Sequence, residues 1–169
     1  MLTLPETARR KKQPYLAIRS SLTMRQIKKQ GPLFLSEVRA FMEQKGYDDR
    51  GPAFFRYDQI DEGGQLEMEF GYFTGKHHAG AGPVRSGILP SGRYATVVWQ
   101  GTYDRLADVT AMLVGWAKET GVSWDVERQG TNEIFAGRLE IYHDDLMSQP
   151  DPAKWRTEVA IKVADNSPD

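Results

Sequence analysis

The sequence predicts an α+β fold in which two copies of a β-α-β-β module join their strands into one antiparallel sheet, with helices covering one side. Three observations predict it. The order strand, helix, strand, strand occurs twice along the 169 residues. Arg93 to Gln100 alternates as a sheet strand does, with Tyr94, Thr96 and Val98 facing one way and Ala95, Val97 and Trp99 the other. Apolar stripes at helical spacing, Leu35, Val38, Phe41 and Met42 in one half and Leu106, Val109, Leu113 and Trp116 in the other, give each half a helix with one face to bury. A unit of this kind cannot bury that face alone, so joining two copies through their sheets is the expected solution.

In the first half, Tyr15 to Leu22 reads as a strand and Leu33 to Lys45 as a helix. Ala53 to Gln59 and Gln65 to Thr74 then form a hairpin turned at Glu62-Gly63-Gly64. In the second half Gly101 ends the strand Arg93 to Gln100, Thr102 is placed to cap the next helix, and Asp104 puts negative charge at its positive end. That helix runs from Tyr103 to Thr120 with Gly121 as its stop, and Glu133 to Tyr142 and Arg156 to Val163 complete the module. Gly75 to Gly82 reads as a linker or mobile flap. The expected organisation is a single domain: a basic tail at 1–12, a first module at 13–75, a linker at 76–88 and a second module at 89–164.

Composition narrows the chemistry. At 40% hydrophobic content the chain supports one sizeable core. It has no cysteine, so disulfides, thiolate metal sites and a cysteine nucleophile are excluded. No apolar run approaches the roughly 20 residues that cross a bilayer, and the expectation is a soluble, cytoplasmic protein without membrane contact. The net charge of −1 hides an asymmetry: the first 30 residues carry eight Lys or Arg against one acid, Glu6. Arg9-Arg10-Lys11-Lys12 reads as a solvated tail. No direct DNA binding is expected, because too few residues precede the first strand for a helix-turn-helix.

The stretch Leu89 to Leu106, LPSGRYATVVWQGTYDRL, carries a resemblance. A strand opening with LPxGRYA and a helix entered through GxYDxL is similar to the GyrI-like small-molecule-binding domain, the effector-binding half of AraC-type and MerR-type multidrug regulators. The resemblance extends to Gly51-Pro52-Ala53-Phe54, Glu67-Met68-Glu69-Phe70-Gly71, Glu140-Ile141-Tyr142-His143-Asp144 and Trp155-Arg156-Thr157-Glu158-Val159-Ala160-Ile161. It implies a pseudo-twofold axis between the modules, with the ligand in a groove between them. It also implies a freestanding form of the domain.

Glu140 matches the family's binding-site acid. Alternation along Ile134 to Tyr142 puts Phe135, Gly137, Leu139 and Ile141 on one face and Ala136, Arg138, Glu140 and Tyr142 on the other. Leu139 and Ile141 are expected in the helix-covered core, and Glu140 and Tyr142 in a groove on the opposite face. A carboxylate among rings is poorly hydrated, and a lipophilic cation compensates it. Trp99, Tyr142, Phe73 and Tyr72 are the rings expected to add cation–π attraction. The competing reading of Glu140 is a solvated acid paired with Arg138, and that of Trp99 is core packing. Glu67 and Glu69 read as solvating charge or as a second acid pair near the groove, and Glu158 carries the same ambiguity. His77, His78 and His143 show no metal-ligand spacing, no phosphate-binding loop is present, and no cofactor or metal is implied.

Three functions stay open at this point. The first is a sensor or sequestering protein for hydrophobic, aromatic or cationic small molecules. The second, also implied by the resemblance, is a hydrolase opening cyclopropanoid natural products, with Glu140 as general base and Tyr142 and Trp99 as orienting groups. The third is a DNA gyrase inhibitor-like protein–protein module, resting on the resemblance to the family's name-giving relative and on the basic amino terminus. The natural ligand, the oligomeric state and any role of His77 and His78 are not legible.

Overall fold

A computed structural model describes residues 1–145 and 147–169. In chain order the strands and helices are β1 (Glu6–Arg10), β2 (Gln13–Thr23), α1 (Met24–Lys45), β3 (Arg50–Asp61), β4 (Gln65–Thr74), β5 (Val84–Leu89), β6 (Gly92–Gln100), α2 (Leu106–Thr120), β7 (Val126–Gln129), β8 (Asn132–Phe135), β9 (Arg138–Tyr142) and β10 (Arg156–Lys162). A 3-10 turn, Tyr103–Arg105, leads into α2. The strands form one antiparallel sheet ordered β1-β6-β10-β9-β3-β4-β2-β5, with the β7–β8 hairpin added beside β3.

The two modules are visible in that order. From the centre outward one half reads β3-β4-β2 and the other β9-β10-β6, and the halves meet where Phe54 pairs with Ile141 and Phe55 with Glu140. Both helices cover the same face. Val38 and Met42 of α1 pack on Leu16, Ile18 and Tyr72, while Val109 and Leu113 of α2 pack on Ala95, Val97, Val159 and Ile161.

The helix-free face is closed by the sheet itself. Tyr15, Ala17, Phe54, Phe73, Leu89, Tyr94, Leu139, Ile141 and Ala160 form one buried cluster drawn only from strands. A ribbon explains the closure. β1 pairs β6 and β2 pairs β5 without a change of register: Arg10 faces Gly92, and three residues on Gln13 faces Leu89. The chain from residue 6 to 18 and its partner from 84 to 96 are therefore one two-stranded ribbon, bent at Lys11-Lys12 and Pro90-Ser91. The ribbon ties one end of the sheet to the other, so the sheet must curl around its helix-free face.

Four expectations are corrected here. Residues 1–12 are not a solvated tail, because Glu6–Arg10 is β1 and Arg10 pairs with the buried Glu158. The expected linker at 76–88 contains β5, and His78 is anchored by stacking on Tyr47 at 4.0 Å between centroids and by a 2.6 Å contact with Asp49. α1 begins at Met24 rather than Leu33 and runs through Pro32. Its first turns bury Ile27 against Leu22, Phe55 and Leu66, which offsets the break that Gly31-Pro32 signals. Gly31 has a packing reason: a Cβ there would lie 2.6 Å from Phe55 Cζ.

The fourth correction concerns the expected strand Glu133 to Tyr142, which is two strands separated at Ala136-Gly137. Ala136 N–H donates to the Asp125 carbonyl, and the Gly137 carbonyl accepts from Lys162 N–H. The interruption shifts the alternation by one residue. Phe135 thus packs under α2, whereas Leu139 and Ile141 face the helix-free cluster.

Candidate functional site

That shift decides where the acid points. Glu140 and Tyr142 lie on the helix-bearing face, between the strands covered by α1 and those covered by α2, and not on the opposite face as alternation through an unbroken strand predicts. The cross-strand row through Glu140 is otherwise apolar: Phe70 pairs with Phe55, Phe55 with Glu140, Glu140 with Val159, and Val159 with Val97. One carboxylate sits in the middle of it.

Both oxygens of that carboxylate are held by phenols. Tyr57 Oη donates to Oε1 at 3.0 Å and Tyr142 Oη donates to Oε2 at 2.5 Å. Burial pushes the Glu140 pKa above its ordinary value, against the two tyrosine hydrogen bonds and the Arg138 charge, which pull it down. Both tyrosines are pushed well above the usual phenol range, by burial first and the Glu140 charge second, so they remain donors at neutral pH. The alternative pairing of Glu140 with Arg138 is not formed: the Arg138 guanidinium lies over the Phe135 ring at 4.9 Å and the Tyr57 ring at 6.0 Å.

Rings wall the acid. Tyr142 meets Phe55 edge-on at 5.0 Å and Tyr103 at 5.3 Å, and Tyr103 stacks on Trp155 at 4.7 Å. Phe55 in turn packs edge-on to Phe70, which meets Phe34 of α1. Tyr103 is 40% exposed, so the wall is open to water at that end. The 3-10 turn that carries Tyr103 is fixed by Trp99, whose indole N–H donates to the Thr102 carbonyl at 2.9 Å. Trp155 is fixed by its own indole N–H on the Gln149 carbonyl at 2.7 Å.

The other expected site residues separate. Trp99 shares a row with Tyr142, Thr157 standing between them, but its ring packs on the α2 cluster and covers Gly101. It positions Tyr103 rather than walling the acid. Tyr72 is on the helix side but beneath α1, packed with Val38 and Met42, with the Arg50 guanidinium 5.3 Å over its ring. Phe73 lies on the helix-free face, stacked on Phe54 at 4.5 Å, away from Glu140. Glu69 accepts from Tyr15 Oη on that same far face, and Glu158 is buried there between Thr96, His143 and Arg10. Neither is a second acid for the groove.

Sequence reasoning did not single out Phe55, Tyr57 and Tyr103 as ring walls, and it used Trp155 only as part of a motif. A signal existed for the first two: Phe55 and Tyr57 alternate on one face of the strand that the module order makes the neighbour of Glu140's strand. Among the described residues, no cluster of three His, Cys, Asp or Glu is arranged to hold a metal ion. No helix among them is long and apolar enough to cross a membrane.

Solved structures share this architecture across nearly the whole chain. The EcmrR C-terminal domain covers 95% of this chain and 97% of its own at 18% identity, with a TM-score of 0.73. In the EcmrR–DNA complex the match takes in 95% of this chain but 57% of the EcmrR chain, so this chain spans little more than half of that protein. SAV2435, solved bound to tetraphenylphosphonium, matches with a TM-score of 0.62 at 12% identity, covering 96% and 95% of the two chains. A hydrolase from Listeria innocua matches with a TM-score of 0.57 at 13% identity, covering 95% and 91%. At these identities the likeness establishes the fold. Curated proteins provide no match to this chain. The GyrI-like small molecule binding domain matches residues 41–164, which include α2, both central strands and every residue around Glu140, and the chain belongs to that family.

Proposed function

We propose that this protein binds flat, apolar, cationic molecules between α1 and α2, with Glu140 as the counter-charge, and so senses or sequesters them. The observation that carries the reading is a single carboxylate in an apolar row, its pKa raised by burial, ringed by Phe55, Tyr57, Tyr142, Tyr103 and Trp155. A permanent cation beside it offsets the cost of burying the charge. Each ring face adds about 0.5 to 2 kcal/mol of cation–π attraction, depending on desolvation. Stacking and charge demand little directional matching, so ligands of several shapes fit one such groove. The tetraphenylphosphonium bound by the structurally similar SAV2435 is likewise an apolar aromatic cation, with its four rings set tetrahedrally about the charge.

The rings pack over Glu140, so a ligand enters by parting the exposed Tyr103 from Trp155. The test is a fluorescence-polarisation titration with rhodamine 6G, competed by tetraphenylphosphonium. Saturable, competable binding is expected; a protein that binds neither cation does not have this function.

A second reading, hydrolysis of a cyclopropane-bearing substrate, is favoured by the burial of Glu140, which raises its pKa and makes the carboxylate a stronger base. Glu140 would take a proton from water as its oxygen attacks a ring carbon, the strained C–C bond breaks, and the carbon released takes up a proton. General base help of this kind contributes roughly 10² to 10⁴ in rate. A Glu140-dependent mass gain of one water establishes this reading; binding without it leaves a sensor. The gyrase-inhibitor reading keeps only the resemblance and the exposed Arg9, Lys11 and Lys12 behind it, since Arg10 is held by Glu158.

A further inference from the structure

On the face opposite Glu140, where the β1–β2/β5–β6 ribbon bends, the curled sheet leaves a cavity of about 460 Å³. We infer that this cavity is a second ligand site, taking a small aromatic molecule with one anionic head, a carboxylate or a sulfonate. None of the residues around Glu140 lines it.

Its walls come from Pro52, Phe73, Leu89 and Ile141, with Arg10, Lys11, Asp49 and His143 at its rim. The volume is in the range of small-molecule pockets, and the combination of apolar walls with a few convergent polar groups is the usual make-up of one. Phe73, stacked on Phe54, is the ring in those walls.

The charge of the head follows from which polar groups already have partners. Both acids nearby are occupied. Asp49 takes His78 on Oδ1 at 2.6 Å and the Lys76 N–H on Oδ2 at 3.1 Å. Glu158 takes Thr96 Oγ1 and Arg10 on Oε1, and His143 on Oε2 at 3.0 Å. The His143 contact needs its Nε2 to carry the proton, and burial, followed by the Arg156 and Arg10 charges, holds its pKa below the ordinary value, so the ring is a neutral donor there. What remains is donor capacity. The buried Nε–H of Arg10 has no hydrogen-bond partner, and the exposed Lys11 ammonium has no acidic partner among the described residues. A buried donor without a partner costs stability unless a ligand or water satisfies it. Arg10 and Lys11 both line the cavity at the bend of the ribbon, so an anionic head held at that end is offered both.

The experiment is a titration of the full chain with 8-anilinonaphthalene-1-sulfonate, read by fluorescence enhancement. It is run with the wild type, Lys11→Glu, Arg10→Gln, Glu140→Gln and Tyr103→Ala, with melting temperature recorded for each. One saturable site is expected. Lys11→Glu should weaken it at least tenfold with an unchanged melting temperature, while Glu140→Gln and Tyr103→Ala leave it within about twofold. Arg10→Gln should weaken it as well, but this variant also strips Glu158 of its cation, so Lys11→Glu is the deciding one. An absence of saturable binding overturns the inference. So does equal affinity in Lys11→Glu, or a loss in the groove variants matching that in Lys11→Glu, which would place the dye between the helices.

Discussion

Replacing Glu140 by Gln removes the charge and keeps nearly the same shape, and the structure fixes how large the effect should be. With rings on several sides, a cationic centre approaches the carboxylate to roughly 5 Å. At an effective dielectric of about 20, that separation is worth about 3 kcal/mol, or roughly two orders of magnitude in Kd. A neutral molecule of the same outline keeps its stacking and should lose no more than about threefold. Stability should move little. One tyrosine loses a charge-assisted hydrogen bond worth roughly 1.5 to 3 kcal/mol, and removal of the buried charge offsets this. The assay is polarisation or calorimetry with tetraphenylphosphonium and a neutral tetraphenyl analogue, on both proteins, across acid to neutral pH. Because the Glu140 pKa is raised, its carboxyl is protonated at the acid end of that range. Affinity for the permanent cation should therefore rise with pH through the folded-state pKa and then level off, while Glu140→Gln stays flat over the same interval. The linkage sign for the empty protein is opposite: a raised carboxyl pKa means the native state binds more protons than the unfolded chain between the two pKa values, so this group's contribution to stability falls as pH rises. Equal losses for the cation and its neutral analogue, or a pH-independent wild type, would refute the argument that the carboxylate recognises charge.

Other substitutions separate wall from scaffold. Tyr103→Ala should weaken cationic and neutral ligands alike, by roughly 3- to 30-fold, the worth of one exposed ring contact, with little change in melting temperature because the ring is 40% exposed. Trp99→Ala should act the other way round. Loss of its packing on α2 and of the indole bond to Thr102 should cost about 1 to 3 kcal/mol in chemical denaturation, with affinity falling only as far as Tyr103 drifts; an affinity loss at unchanged stability would put Trp99 in the wall. Gly31→Ala should destabilise by about 1 to 3 kcal/mol although alanine is the better helix former, since its Cβ would lie 2.6 Å from Phe55 Cζ; a stabilised variant would show that Phe55 yields easily.

The module order and the strand-to-helix entry at Gly101 were legible because they rest on local pattern: alternation, stripes and turn residues; Glu140 was singled out by its match to the family's motif. The side of the sheet on which the acid lies was not legible. It depends on the interruption at Ala136-Gly137, which is set by bonds to Asp125 and Lys162 from elsewhere in the fold, and one displaced residue moves Leu139 and Ile141 to the far face and Glu140 to the near one. Phe73 was misplaced for a related reason, since alternation tells which residues share a face but not which face the helices cover; Trp99 does share the face of Tyr142, and alternation left open whether its ring packs in the core, as it does on α2. The basic segment was misread because a polar edge strand such as ETARR has no apolar signature; only its register against β6 makes it a strand.

The duplication also explains why the groove has one acid instead of two. A twofold axis through the Phe55–Glu140 pair exchanges those two residues and carries the residue two further along one strand onto the residue two further along the other, so the counterpart of Glu140 is Phe55 and that of Tyr142 is Tyr57. Each copy supplies a phenol, but only one supplies the carboxylate, and the other has a ring in its place. Two facing carboxylates in that apolar row would repel and raise each other's pKa until one was neutral. With a single acid opposite an aromatic ring, the charge can stay ionised while the ring furnishes the apolar surface that a flat cation needs. The pseudo-symmetry therefore builds the apolar row, and the departure from it at this one pair gives the row its charge. Exchanging the two residues in a Phe55→Glu, Glu140→Phe double variant tests this directly. Because the same axis exchanges Tyr57 with Tyr142, the moved carboxylate should keep both phenols within reach and cation affinity should survive; a loss matching that of Glu140→Gln would mean that the two copies do not superpose at this pair.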